Sequence, residues 1–163
     1  MELMMGYEII HKTLVFERYC EAPVKRVFAA FADPVIRAGW SAPSDAAAFI
    51  YDEADFREGG EDWFRCGPKD NPQYTGRTTY ISIVPGELVV SSEIVEAGGR
   101  KLMSSLITTE LEADGNATRV KMTVQVTSFR GGQMLVGTEI GNNAALDNLV
   151  EHMATPLSPK NMR

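Results

Sequence analysis

Apolar and polar positions alternate, then recur at helical spacing, then alternate again along this chain. From about Lys12 to Glu21, Leu14, Phe16, Arg18 and Cys20 share one side of an extended backbone and Val15, Glu17, Tyr19 and Glu21 the other, which predicts a first strand. Val24, Val27, Phe28 and Phe31 then fall at i, i+3, i+4 and i+7, predicting an amphipathic helix over Pro23 to Ala32 that Asp33-Pro34 ends. A further helical turn, Val35 to Trp40, leads into the loop Ser-Ala-Pro-Ser-Asp.

Strand signals follow without an intervening helix. Ala46 to Phe56 and Glu61 to Cys66 flank Gly59-Gly60 as a hairpin; Tyr74 to Val84 and Glu87 to Glu96 flank Pro85-Gly86. Lys101 to Glu112 and Ala117 to Phe129 form a last hairpin around Asp114-Gly115-Asn116. In the final strand Val120, Met122, Val124 and Val126 alternate with Arg119, Lys121, Thr123, Gln125 and Thr127, as in a sheet packed on one face and wet on the other. From Gly132 to Ala154, Leu135, Leu146, Leu149, Val150 and Met153 return at three- and four-residue spacing, predicting a long C-terminal helix. The order is one strand, one or two short helices, about six antiparallel strands and one helix: an α+β meander able to curl around that helix.

The N-terminal half of the helix carries Thr138 and Asn142 in line with its apolar positions, and Gly137 and Gly141 beside them. Polar groups on a buried stripe need partners, so Thr138 and Asn142 are candidate ligand contacts in a cavity between helix and sheet, with bonds to neighbouring backbone as their rival role. The two glycines are expected to let the helix approach the sheet or bend. Trp40, Trp63 and Tyr80 combine an apolar body with a polar tip, suited to lining such a cavity; ordinary core packing is the alternative. Strand parity does not fix which face is concave.

Arg18 lies on the apolar face of the first strand and Arg57 in the Gly-Gly turn. A structural ion pair is the expected role for both, with Glu93, Glu110 and Asp55 as candidate partners; anion binding in the cavity is the sharper reading for Arg18. Asp52, Glu53, Asp55, Glu58, Glu61 and Asp62 read as solvated loop and strand-edge charges.

Composition narrows the classes. The 163 residues, 44% hydrophobic and 23% charged, suit one folded domain spanning 1–163, with its core over about 13–153 and a frayed tail from Thr155. A net charge of −6 argues against a nucleic-acid surface. No stretch reaches the ~18 consecutive apolar residues of a spanning helix and the start has no secretory pattern, so the cytoplasm is the expected compartment. Cys20 and Cys66 lie far apart without ligand spacing and are expected to be free. With only His11 and His152 present, neither a histidine-based triad, a metal site nor a cofactor is indicated.

The segment Glu17-Arg-Tyr-Cys-Glu-Ala-Pro-Val-Lys-Arg-Val-Phe28, with Trp40, Asp55-Phe-Arg-Glu-Gly-Gly60 and Leu111-Glu-Ala-Asp-Gly-Asn-Ala-Thr-Arg-Val-Lys-Met122, resembles the SRPBCC superfamily of START lipid-transfer domains, polyketide cyclases and the birch pollen allergen. The Asp-x-Arg-x-Gly-Gly turn and Pro85-Gly-Glu-Leu88 resemble its branch named after the activator of the heat-shock-protein-ninety ATPase. The resemblance implies a helix-grip fold, a seven-stranded antiparallel sheet around the C-terminal helix with a deep cavity between them. Many members carry Gly-Trp where this chain has Gly141-Asn142, which implies a larger or wetter cavity here.

The function expected from this is binding of a small hydrophobic or aromatic, lipid-like molecule, without membrane insertion. An enzyme of cyclase or hydrolase type using the same cavity is the alternative, leaning on no visible catalytic constellation. A co-chaperone stimulating a chaperone ATPase is the third reading, weakened because the namesake pairs this kind of domain with a separate N-terminal one, for which this chain has no room. A homodimer stays open, since an incompletely closed sheet leaves edges.

Overall fold

The computed structural model describes residues 6–156. Most of the tail expected to fray lies outside them.

Strand β1 (Ile10–Cys20) is followed by helices α1 (Val24–Ala32) and α2 (Pro34–Ser41). Then come β2 (Ala47–Glu53), β3 (Glu61–Pro68), β4 (Tyr74–Val84), β5 (Leu88–Ala97), β6 (Arg100–Asp114), β7 (Ala117–Ser128) and helix α3 (Gly132–Ala154). All seven strands form one antiparallel sheet in the order β1-β7-β6-β5-β4-β3-β2. Strands β2 to β7 run as consecutive hairpins, and β1 closes against β7 with Leu14 opposite Val124 and Phe16 opposite Met122. This is the expected helix-grip arrangement, element for element.

Short-range chemistry sets the boundaries. Asp33 both ends α1 and caps α2: its carboxylate accepts from the Val35 N–H at 2.9 Å, and Pro34 stands where no N–H is needed. The last carbonyls of α3 are met by Arg26 of α1, which donates to the carbonyls of Met153, His152 and Thr155 at 2.8–3.2 Å. Asn148 of α3 in turn donates to the Ala42 carbonyl beyond the end of α2 at 2.9 Å.

The hydrophobic core occupies only part of the concave side. Leu14, Phe16, Cys20, Leu111, Val120, Met122, Val124 and Val126 of the β1–β7–β6 portion pack against Val27, Ala30, Phe31 and Trp40 of α1–α2. Leu135, Ala145, Leu146, Leu149 and Met153 of α3 complete it. Helix α3 lies on β1, β7 and α2, so the concave face of β3, β4 and β5 is left with a different cover.

On that second half, glycine has a definite task. Gly76 sits cross-strand from Phe64, and a Cβ there would meet the Phe64 ring at 2.0 Å. Gly137 and Gly141 differ: a Cβ at either meets nothing within 4 Å, so of the two expected reasons for them, close approach of helix to sheet does not apply. Gly76→Ala is therefore expected to cost about 1–3 kcal/mol by overpacking. Gly141→Ala should instead be neutral or stabilising by up to about 1 kcal/mol; urea unfolding of both variants checks the contrast.

Candidate functional site

The strand registers put one row of side chains across the part of the concave face that α3 leaves to other cover: Asp62 of β3, Thr78 of β4, Glu93 of β5 and Ser105 of β6 lie opposite one another in turn. Successive residues on one face of a strand stand about 7 Å apart, so the flanking rows are close. Tyr80 opposite Ser91 forms the row on one side; Tyr51, Phe64, Gly76 and Val95 form the row on the other.

One end of this face is closed by a buried ion pair. Asp62 is 1% exposed and Arg37, from α2, 7%. The Arg37 Nη2 donates to Asp62 Oδ2 at 2.7 Å, its Nε to the Tyr51 hydroxyl at 2.7 Å, and its Nη1 to the Phe31 carbonyl. The Tyr80 hydroxyl donates to the same Asp62 oxygen, and the other carboxylate oxygen accepts from the Asp55 N–H at 3.0 Å. Burying two charges is costly unless the attraction is supplemented by hydrogen bonds, and here each partner has them. Desolvation pushes the Tyr51 hydroxyl up to about 12 against the pull of Arg37, and Tyr80 higher still.

The Asp55-to-Gly60 turn supports the pair. Its backbone bonds Gly59 N–H to the Tyr80 carbonyl at 2.8 Å and Tyr80 N–H to the Gly60 carbonyl at 3.0 Å. A Cβ at Gly60 would stand 2.2 Å from the Asp55 carbonyl oxygen, so the second glycine of the motif is required by backbone contact. The turn presents Phe56 edge-on to Tyr80, ring centroids 4.9 Å apart.

Glu93 is the titratable group in the middle of the face. Its carboxylate accepts from the Thr78 hydroxyl at 3.2 Å. Burial, with the Asp62 charge adding to it, raises its pKa to about 7 despite Thr78 and the Arg37 cation. Cys66, on the same side of β3, is pushed up to about 11 by burial and by Glu93. Ser91, Ser105 and Thr109 are each more than nine-tenths covered, yet their hydroxyls have no protein partner among the described residues. No fully enclosed side-chain nitrogen or oxygen among the described residues lacks a partner, so the hydroxyls of these three keep a small accessible area.

The residues singled out from the sequence are dispersed by the fold. Tyr80 lies on the concave face, its hydroxyl bonded to Asp62. Trp63 points the other way: it is 42% exposed on the convex face under the Arg77 guanidinium, because Asp62 and Phe64 take the concave parity of β3. Trp40 is in the core, donating to the Ala30 carbonyl at 3.0 Å and meeting Phe31 edge-on. Thr138 and Asn142 of α3 bond backward within the helix, to the carbonyls of Met134 at 2.7 Å and Thr138 at 2.9 Å; Thr138 also reaches Met103 Sδ at 3.2 Å. Arg18 joins β1 to α3 through Asp147 at 3.0 Å and Asn143 at 2.8 Å, replacing the expected partners Glu93 and Glu110, which lie on other strands. Arg57 does pair with Asp55, at 2.8 Å, but at the surface.

Arg37, Asp62, Tyr51 and Glu93 were not read as a site. Asp62 in particular is overturned as a solvated charge. Its one available signal was parity with Phe64 on a strand whose intervening residue is the more apolar Trp63. Both cysteines are free, and no cluster of three His, Cys, Asp or Glu among the described residues could hold a metal. Elsewhere, a trough crosses the convex side of β1, β7 and β6, where Lys121 lies cross-strand between Glu17 and Glu110.

The family model described as "Activator of Hsp90 ATPase homolog 1-like protein" matches residues 21–154. Among solved structures, the chain is similar to an uncharacterized protein of Rhizobium leguminosarum, with 29% identity, a TM-score of 0.78 and coverage of 90% of this chain and 96% of that one. It is also similar to a Rhizobium loti protein, with 32% identity, a TM-score of 0.78 and coverage of 89% and 99%. A Chromobacterium violaceum protein at 21% identity, with a TM-score of 0.78 and coverage of 88% and 98%, shares the fold. No curated protein matches the sequence significantly.

Two outcomes test the site. Asp62→Ala leaves a buried guanidinium without its counter-charge and should cost about 3–5 kcal/mol in urea unfolding. For Glu93 the folded-state pKa is raised, so the native state holds a proton that the unfolded chain releases. Its contribution to stability is full below the unfolded value and is lost as pH rises through about 7. Glu93→Gln should thus gain stability relative to the parent protein as pH is raised across that window, as read by thermal unfolding in a pH series; a constant offset between the two would contradict it.

Proposed function

Because the chain belongs to the family of activator of Hsp90 ATPase homolog 1-like proteins, we propose that it is a binding protein that holds a small, largely apolar molecule, lipid-like or aromatic, on the concave face of β3–β6. The observation that carries this reading is the set of covered but unpartnered hydroxyls, Ser91, Ser105 and Thr109, beside the half-buried Glu93. A protein interior without a guest fills such space with apolar side chains, as the β1–β7 half does. Here a polar row is flanked by the stacked rings of Phe49 and Phe64, centroids 4.7 Å apart, and by Tyr51 and Tyr80. Apolar walls with a few convergent polar groups are the usual make-up of a small-molecule site.

Thr138 and Asn142 enter this reading as the α3 side of the hollow, near Met103, with their hydrogen-bonding capacity mostly committed to the helix. Arg18 enters it as a strut between β1 and α3.

One observation favours a second reading, an enzyme of cyclase or hydrolase type. A carboxyl that titrates near 7 in a largely covered site is suited to moving a proton at neutral pH. On that reading Glu93→Gln abolishes turnover while ligand affinity persists.

The binding reading is tested by native mass spectrometry of gently purified protein, where a retained apolar adduct is expected, and by titration with the neutral dye Nile red. Ser105→Leu and Ser91→Leu, which fill the hollow, should weaken dye binding by about tenfold or more without loss of cooperative unfolding. Absence of any adduct together with dye binding that both variants leave unchanged would remove the proposal.

A further inference from the structure

The proposed site has a sign preference, which follows from how its charges are used. Every nitrogen of the Arg37 guanidinium is already engaged, by Tyr51, Phe31 and Asp62. The two other cations on the concave side are also taken: Lys12, in line with Val126, Ser105 and Glu93, pairs with Glu139 at 3.5 Å, and Arg18 pairs with Asp147. Among the described residues, each cation of the face thus already has a carboxylate partner.

Glu93, by contrast, has one hydrogen bond from a neutral hydroxyl and no ion pair. Beside it stands an aromatic wall. Phe49 and Phe64 are stacked, Tyr51 lies 5.2 Å from the first ring and 6.2 Å from the second, and the Phe56–Tyr80 pair follows toward the turn. A carboxylate next to the faces of several aromatic rings is a setting for an ammonium group, which gains a charge-assisted hydrogen bond from the one and quadrupole attraction from the others. The Arg37 guanidinium already lies over the Tyr51 ring, 4.4 Å from its centroid, so this wall accepts cations.

We infer that the preferred guest of the concave face is an apolar molecule bearing a protonated amine, its N–H donating to the Glu93 carboxylate and its hydrocarbon part resting on the Phe49–Phe64 wall. This deepens the proposed function and rests on it. The groups facing Glu93 are Thr78 of β4, Asp62 and Cys66 of β3, Arg37 of α2, Tyr51 of β2 and, farther along the same row, Lys12 of β1. Asp62 and Arg37 nearly cancel as an ion pair, so the charge presented to a guest is that of Glu93. Entry of an ammonium favours its ionised form, and a proton leaves as the guest arrives. Binding of an amine should then tighten as pH rises through about 7, while binding of a neutral analogue should not.

The experiment compares 1-naphthylmethylamine, 1-naphthylmethanol and 1-naphthoate by isothermal titration calorimetry with the full chain at about pH 6 and about pH 8, with Glu93→Gln as the matched variant. The expected result is an amine bound about tenfold more tightly than the alcohol at the higher pH, a smaller advantage at the lower pH, and naphthoate weakest throughout. In Glu93→Gln the ratio of amine to alcohol affinity should fall to about one and lose its pH dependence. Equal affinities for amine and alcohol, or an amine advantage that survives in Glu93→Gln, overturns the inference and leaves the broader binding reading standing. Failure of the amine to bind folded protein also overturns it, whereas the broader reading stands or falls separately on the retained adduct and the Nile red variants.

Discussion

The concave half-site depends on one buried ion pair, Arg37 with Asp62. Taking both charges out of water carries a penalty that attraction alone seldom repays, so the pair persists only where further hydrogen bonds complete it. Those bonds come from four separate places: α1 through the Phe31 carbonyl, β2 through Tyr51, the Asp55 turn through its N–H, and β4 through Tyr80. The pair thereby fixes α2 over β2 and β3 and holds the turn against β4. All three nitrogens of its guanidinium are engaged in doing so.

A second constraint is the division of the concave face. Helix α3 covers the β1–β7 side, where valine, leucine and methionine alternate and every apolar position finds a partner. Across β3, β4 and β5 the same alternation presents Asp62, Thr78, Tyr80, Ser91 and Glu93 instead, under a thinner cover of α2 and aromatic rings. Dispersion and water exclusion stabilise the first half; directional bonds hold the second together.

Much of this architecture was legible in the residues. The β7 alternation, the α1 spacing and the Asp33-Pro34 break each place an element by local rules. The Gly-Gly turn was recognisable too, although its task, bringing the Asp55 N–H to the Asp62 carboxylate and Phe56 to Tyr80, was not. The candidate site was far less legible. Trp63 looked like a wall residue and Asp62 like a surface charge, because β3 offers acid–aromatic–aromatic in succession and parity alone leaves two choices. Thr138 and Asn142 stood in line with the apolar stripe of α3, yet each satisfies itself four residues back along the helix.

The sequence by itself determined the order and type of the elements, the hairpin turns and the sheet-and-helix class, since periodicity, proline and glycine act over a few residues. Only the tertiary structure decided which face of β3 and β5 turns inward, that Arg37 from α2 would meet Asp62 across 25 positions of chain, and that Arg18 would find Asp147. Those outcomes turn on strand register and on where α2 and α3 come to rest. A one-residue change of register exchanges inside for outside while leaving every local pattern intact.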